Sequence, residues 1–445
     1  MRETRIAQAS IFEKYSEHQH GAMLQKLSQR LDEHPQILDL VATDLIDALT
    51  APVGRIGLSV ESVLRCLLLK QLLRVSYEQL AFHLSDSMTY RAFTRLSHLM
   101  PSRSGLQSTI RRIRPETLEQ AHRMLTRSLL DQGVISLDAL RIDSTVVASD
   151  IAPPSDSQLL NDAVRVMSRL LASSHSQTGV KIRFTDQRKS AKSLAFRIFN
   201  SKKADKDVLY PDLLKIARLV IKQAQRALDK VTEASNVTQS QQAWCQKLAH
   251  YRALAQQVVT QTERRVILEE RVPSSEKIVS LFEPHTDIIV KGFRDVQYGH
   301  KVNLSSDKSG FITAFSIEDG NPSDKDLFLP VLDYHASVLG QLPRAVVADG
   351  GYASQANVIA GRARGVKQVV FHKPVNVSLT AMGVKSKTFH ALKHFRAGVE
   401  GNISELKRAF GASKARWKGH NGFKAFVWSC VLSYNLVRWA RLDTG

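Results

Sequence analysis

Residues 345–352 read AVVADGGY. Four small or β-branched apolar residues bounded by Gly-Gly predict a short, fully buried strand with Asp349 at its end. A second segment of this kind, residues 140–147 (LRIDSTVV), carries Asp143 in its middle and is followed by Pro153-Pro154 before helical spacing resumes. A carboxylate on a buried strand costs several kcal/mol unless it is paired or bound to a cation, so each Asp calls for an explanation. Taken singly, each reads better as a strand-end Asp that caps a turn, since Asp-Gly-Gly is ordinary turn chemistry. Two strands that bring an Asp each to the same rim would instead make an oxygen-rich site of the kind Mg2+ takes.

Outward from these strands the pattern is mixed α/β. Period-two alternation over 296–304 and 311–317, with Asp307-Lys308-Ser309-Gly310 between, predicts an antiparallel hairpin. Residues 324–339 read as a helix and 368–372 (QVVFH) as a further buried strand. Between residue 147 and the hairpin the spacing is helical: Leu160, Val164, Met167 and Leu171; then Leu213, Ile216, Val220 and Ala224; then Trp244, Leu248, Tyr251 and Ala255. The polar stretch 235–243 (SNVTQSQQA) reads as the linker before the last of these. Towards the amino terminus, Val60, Val63, Leu64, Leu67, Leu68 and Leu72 predict a helix with one buried stripe, N-capped by Ser59. Ser76 with Gln79 makes a capping box, and Ser87 can cap a third short helix through Tyr90 and Phe93. Such a triplet suits a helix-turn-helix or a plain helical packing module.

Charge narrows the function. The 445 residues carry 62 Lys and Arg against 42 Asp and Glu, a net +20 at pH 7, which attracts polyanions, nucleic acid first. Residues 181–206 hold nine basic side chains against Asp186 and Asp205, interleaved with Phe184, Phe196 and Phe199; residues 393–424 hold eight against Glu400 and Glu405. Phosphate contact or a solvated surface would use either cluster. Cys66, Cys245 and Cys430 form no CxxC pair, which excludes a disulfide framework or cysteine-rich zinc site and fits a reducing cytosol. The opening MRETRIAQAS has no apolar signal region and no 18-residue apolar run follows, so the expectation is a soluble intracellular protein without a membrane span.

A third carboxylate comes from residues 395–410, FRAGVEGNISELKRAF. At about 100° per residue, Arg396, Lys407 and Glu400 project at about 0°, 20° and 40°, beside an apolar face of Phe395, Val399, Leu406 and Phe410 at about 260° to 320°. The plainer reading is an exposed charged face with an i, i+4 pair between Arg396 and Glu400.

These elements together, with HTDIIVKGFRDVQYGHKVNL (285–304), EDGNPSDKD (318–326), the ADGGY around Asp349 and R-(3)-E-(6)-K at Arg396, Glu400 and Lys407, resemble the bacterial insertion-sequence DDE transposases. The likeness is nearest to the ISNCY-like group, and residues 53–97 resemble the amino-terminal domain of InsH-type transposases. The resemblance implies an α/β, RNase H-like mixed sheet with Asp143 on the first strand, Asp349 after the fourth and Glu400 on a later helix. It implies a helical DNA-binding domain over 1–130 and a catalytic domain over 131–445, with a helical insertion after the first strand at about 155–270. Asp143, Asp349 and Glu400 would then be the catalytic carboxylates and hold Mg2+, as two ions that Mn2+ can replace. Lys393, Arg396, Lys407 and Arg408 would contact DNA, although Lys393 stands where the family signature has Tyr. The implied activity is cleavage at element ends and transfer of the 3′-OH into target DNA, by a homodimer on double-stranded terminal inverted repeats, in the cytoplasm at the nucleoid. An RNase H-like nuclease without strand transfer, or a DNA-binding protein with a decayed site, would share much of this pattern. His300 is expected to be structural, and His285 and Asp287 either to support the site or to order a loop. Lys414, beyond the motif, is expected to contribute nothing to the scissile phosphate.

Overall fold

The structure, a computed structural model, describes residues 4–5, 15–46, 57–96, 100–233, 238–291, 295–372 and 377–442. The chain divides into two compact units, residues 1–148 with 300–445, and residues 149–299. Its strands are β1 (Ala139–Ser149), β2 (Asp287–Lys291), β3 (Asp295–Ser306), β4 (Ile312–Ile317), β5 (Ala345–Asp349), β6 (Gln368–His372) and β7 (Lys414–Ala415).

In the larger unit the sheet runs β3-β1-β5-β6, with β4 on β3 and β7 on β1. β1 and β5 pair in parallel from Ala139 opposite Ala345 to Ile142 opposite Ala348, and β5 pairs in parallel with β6. The expected hairpin is β3 against β4, antiparallel; Gly310 closes its turn at φ 80°, its N–H donating to the Asp307 carbonyl at 3.1 Å. Counted within this unit β5 is the fourth strand, and Asp349 is its last residue. Leu140, Ile142, Val346 and Phe371 bury with Phe328 and Leu332 of the helix Phe328–Leu339 in one apolar cluster. Val302, Leu304 and Phe315 bury in another, with the helix His420–Leu442 and the amino-terminal helices Gln19–Asp32, Pro35–Leu45, Val60–Leu73 and Pro115–Asp131.

The expected short helices are present. Ser59 caps Val60–Leu73, Ser76 and Gln79 form a full capping box on Tyr77–Asp86, and Ser87 caps Met88–Thr94. The single buried stripe expected for Val60–Leu73 is corrected: every residue from Val60 to Gln71 is buried, including Glu61, Arg65 and Lys70. Arg65 satisfies its charge with Glu61 at 3.1 Å and Asp32 at 3.0 Å, and Arg95 joins the same two carboxylates. Apolar periodicity reports the lipophilic face and is silent on charges that meet partners from elsewhere in the chain.

The smaller unit packs the helices Asp156–Ala172, Arg188–Asn200, Lys203–Thr232 and Gln239–Thr262 around Leu160, Val164, Leu213, Val220, Trp244 and Leu248, and adds a hairpin of β2 with residues 295–299 of β3. The linker expected over 235–243 is shorter than read: Thr238 with Gln241 forms a capping box and the helix starts at Gln239, while 234–237 lie outside the described residues. All three cysteines are free, Cys66 and Cys430 in the core. Among the described residues no helix is long and apolar enough to cross a membrane.

Candidate active site

One residue beyond the paired Ile142 and Ala348 stand Asp143 on β1 and Asp349 on β5. Parallel neighbours at matched positions direct their side chains to the same face of the sheet, so the register itself brings the two carboxylates together. The helix Ser386–Ala409 supplies the rest. Arg396 buries its guanidinium among three acids: Nη1 lies 3.5 Å from Asp143 Oδ2 and 3.8 Å from Asp349 Oδ1, and Nη2 donates to Glu400 Oε1 at 3.0 Å. The i, i+4 pair expected as the plain reading is therefore real, and it sits on the two strand carboxylates. Side-chain exposure rises from 19% at Asp143 through 49% at Asp349 to 66% at Glu400, so the cluster opens to solvent on the helix side.

Buried fasteners hold that helix against β1. Arg141, two residues before Asp143, donates to Ser306 Oγ at 2.9 Å, to the Phe395 carbonyl at 3.2 Å and to Asn402 Oδ1 at 2.8 Å. Asn402 in turn donates to the Gly310 carbonyl at 3.1 Å and to Tyr434 Oη at 2.8 Å. A Cβ on Gly398 would stand 1.9 Å from Arg141 Nη1, so this glycine is what lets the guanidinium lie against the helix.

A fourth acid adjoins the rim. Asp324 Oδ1 accepts from Ser144 Oγ at 3.0 Å and from the buried Lys301 Nζ at 3.1 Å, and a Cβ on Gly351 would meet its Oδ2 at 2.8 Å. It therefore lies beside the residue after Asp143 and close to the turn after Asp349. Burial, then the Asp324 and Asp143 charges, push the Tyr352 hydroxyl well above its ordinary pKa, and that hydroxyl donates to Asn303 Oδ1 at 2.7 Å. Neither Asp324 nor Lys301 stands out in the sequence. Their partners lie 180 and 23 residues away, and local periodicity carries no sign of such pairs.

The four basic candidates fall in different places. Arg396 is among the carboxylates, Lys393 and Arg408 are exposed, and Lys407 lines a cationic cleft of about 620 Å3. Lys414 lines the same cleft. His300 on β3 has its Nδ1 3.3 Å from the Glu318 carbonyl and packs on His420 and Phe423, away from the three carboxylates' contacts. His285 Nε2 pairs with Glu283 at 3.0 Å, and Asp287 begins β2. In the smaller unit Phe196 and Phe199 of the 181–206 cluster are exposed.

The donor set suits a hard divalent cation: all three acids present oxygens around a point where a cationic group already sits.

Residues 294–436 match a family model described as a transposase DDE domain, and residues 12–114 match one described as a transposase domain (DUF772). Asp349 and Glu400 fall inside the first match and Asp143 precedes it. No curated protein and no solved structure matches the chain. The matched DDE domain implies an RNase H-like fold and dependence on a divalent metal, and both matches imply DNA as partner. Two transposase models on one chain are consistent with an insertion-sequence DDE transposase and support DNA transposition in general.

Proposed function

We propose that the chain cuts DNA at the terminal inverted repeats of its element and joins the freed 3′-OH to target DNA, with Asp143, Asp349 and Glu400 as the metal-holding carboxylates. The observation that carries this reading is their convergence, from β1, β5 and one helix, around the Arg396 guanidinium. Mg2+, as two ions that Mn2+ replaces, supplies activation of the nucleophile and relief of charge on the leaving oxygen. Asp143 and Asp349 hold their positions from hydrogen-bonded strands, so sheet register sets their separation. Arg396 offers a fork to phosphate oxygens, and Lys407, on the same face of the helix, a point charge.

In the first step a water oxygen bonds to phosphorus as the P–O3′ bond breaks, and the departing 3′ oxygen takes a proton. In the second, that 3′-OH loses its proton to solvent and bonds to a target phosphorus, whose own P–O3′ bond breaks, the departing target 3′ oxygen taking a proton from solvent. Both steps develop the same charge pattern and use one site. Residues 1–130 would bind the element ends, as a homodimer acting at the nucleoid, with Lys393 and Arg408 as outlying phosphate contacts.

The test uses duplexes ending in the inverted repeats that flank the coding sequence. Asp349→Asn should abolish cleavage and leave duplex affinity unchanged, because it removes metal-ligand charge and no basic surface. Retained Mg2+-dependent cleavage in Asp349→Asn overturns the assignment.

A further inference from the structure

The cleft that Lys407 lines is built from both transposase-matched segments, residues 70–111 on one side and 407–426 on the other. Eight of its twenty lining residues are Lys or Arg and one, Glu78, is acidic. Two cations fasten its walls together: Arg74 donates to the Arg408 carbonyl at 2.5 Å and Arg111 to the Lys418 carbonyl at 2.8 Å. Arg103 and Arg416 also line it, both exposed.

Lys70 is the unusual member. It is only 7% exposed, and its ammonium faces the rings of Tyr77 at 4.9 Å and Trp417 at 6.0 Å, with no carboxylate against it among the described residues. The same two side chains hold buried polar atoms without a hydrogen-bond partner among the described residues, Tyr77 Oη and Trp417 Nε1. A buried cation and two unsatisfied donors in one cationic cavity are costly unless an anion that accepts hydrogen bonds completes them. Burial, with Arg416 nearby, pushes Lys70 down to about 8, the direction expected of a lysine that lacks its counter-ion.

We propose that this cleft is a DNA backbone site in which Lys70, Tyr77 and Trp417 receive a phosphate of the strand running from the carboxylates. Lys407 lies on the same helix face as Glu400 and about 10 Å along its axis, a distance of roughly three nucleotides at about 3.4 Å each. A run of several cations leading away from the site matches a polyanion of repeating charge better than a single small anion. The proposal rests on the cleavage reading above.

Full-length protein and a fluorescein-labelled duplex, followed by anisotropy over a salt series without divalent metal, provide the test. Lys70→Met keeps the stem and removes a buried unpaired charge, so it should fold. Affinity should fall about ten- to a hundredfold, and the slope of log K against log salt should shrink by about 0.9, one phosphate contact. Arg103→Ala with Arg416→Ala, both on the rim, should shrink the slope by about twice that and decides the matter if Lys70→Met does not fold. Wild-type affinity and slope in a folded variant overturn the proposal. So does loss of inorganic pyrophosphate binding in Lys70→Met with duplex binding unchanged, which marks a small-anion site. The Asp349→Asn assay judges the carboxylates alone: a dead Asp349→Asn with unaltered binding in Lys70→Met sinks the cleft and spares the site. An active Asp349→Asn sinks the site, and the anisotropy still decides the cleft.

Discussion

Arg396 is the counter-ion of the cluster formed by the three carboxylates. Its guanidinium reaches Asp143, Asp349 and Glu400 at once, from a side chain only 10% exposed. A divalent cation drawn to the same oxygens competes with that guanidinium, since like-charge repulsion among three carboxylates favours whichever cation is present. Arg396→Gln should therefore tighten Mn2+ binding, measured by electron paramagnetic resonance of the free ion, while slowing cleavage about ten- to a hundredfold through loss of a charge-assisted phosphate contact. Weaker Mn2+ binding in this variant would show that Arg396 assists the cation instead of standing in for it. Asp143 and Asp349 stand out in the sequence because a carboxylate inside an apolar run is locally anomalous, and Glu400 because helical spacing aligns it with Arg396, but pattern alone favours a capped turn and an exposed charged face, and it is the resemblance that joins the three. Arg141 gave no such sign: its partners Ser306 and Asn402 lie 165 and 261 residues away, and an Arg beside a strand Asp has no periodicity to violate.

The helix Ser386–Ala409 does at element scale what the strands do for the two Asp residues: it holds Glu400 at a fixed height over β1 and β5. Its apolar face buries Val399 and Leu406, as the spacing predicted, and the polar fastening through Arg141 and Asn402 sets its register along the sheet. Gly398 is the weak point of that fastening, since a methyl group would occupy the space of Arg141 Nη1. Ala is the better helix former by about 1 kcal/mol, so an exposed Gly→Ala change would stabilise. Gly398→Ala should instead lower the denaturation midpoint, by displacing a buried guanidinium from its acceptors, and cut the cleavage rate with little change in duplex affinity. Gly401, on the same helix with open space around its Cα, is the control, and its Ala variant should be neutral or stabilising. If both variants behave alike, Arg141 moves aside freely and the helix is held by its apolar face alone. Val60–Leu73 is the element the sequence misread, because a charged residue entering a core is decided by acids such as Asp32 that fold onto it from another helix.

At the scale of the larger unit, the join between the amino-terminal helices, the sheet and the last helix depends on histidines kept neutral. His122 on Pro115–Asp131 has its Nε2 3.0 Å from the Ile312 carbonyl on β4, and Asn435 of the last helix donates to the same carbonyl at 2.8 Å. His335 Nε2 lies 2.8 Å from Ser305 Oγ and 3.3 Å from Thr313 Oγ1, so it ties a helix to the β3–β4 hairpin. Burial pushes His122 down to about 4 and His335 to about 3 from an ordinary 6.5. A folded pKa below the unfolded one means that, as pH falls through 6.5, the unfolded chain takes up protons that the folded chain refuses. Stability is full above that pH and drains away between it and about 4, the His122 value. Asp307 works the other way: burial raises its carboxyl, so the folded form protonates first and gains stability as the solution acidifies. One carboxyl opposes two imidazoles, so loss prevails in the upper part of the window. The expected outcome is a denaturant midpoint that falls steadily from about pH 6.5 to about pH 5, while the Hε1 resonances of His122 and His335 stay at their neutral positions. Should either resonance titrate near 6.5 in the folded protein, water reaches that imidazole, and the join between helices and sheet is looser than its hydrogen bonds imply.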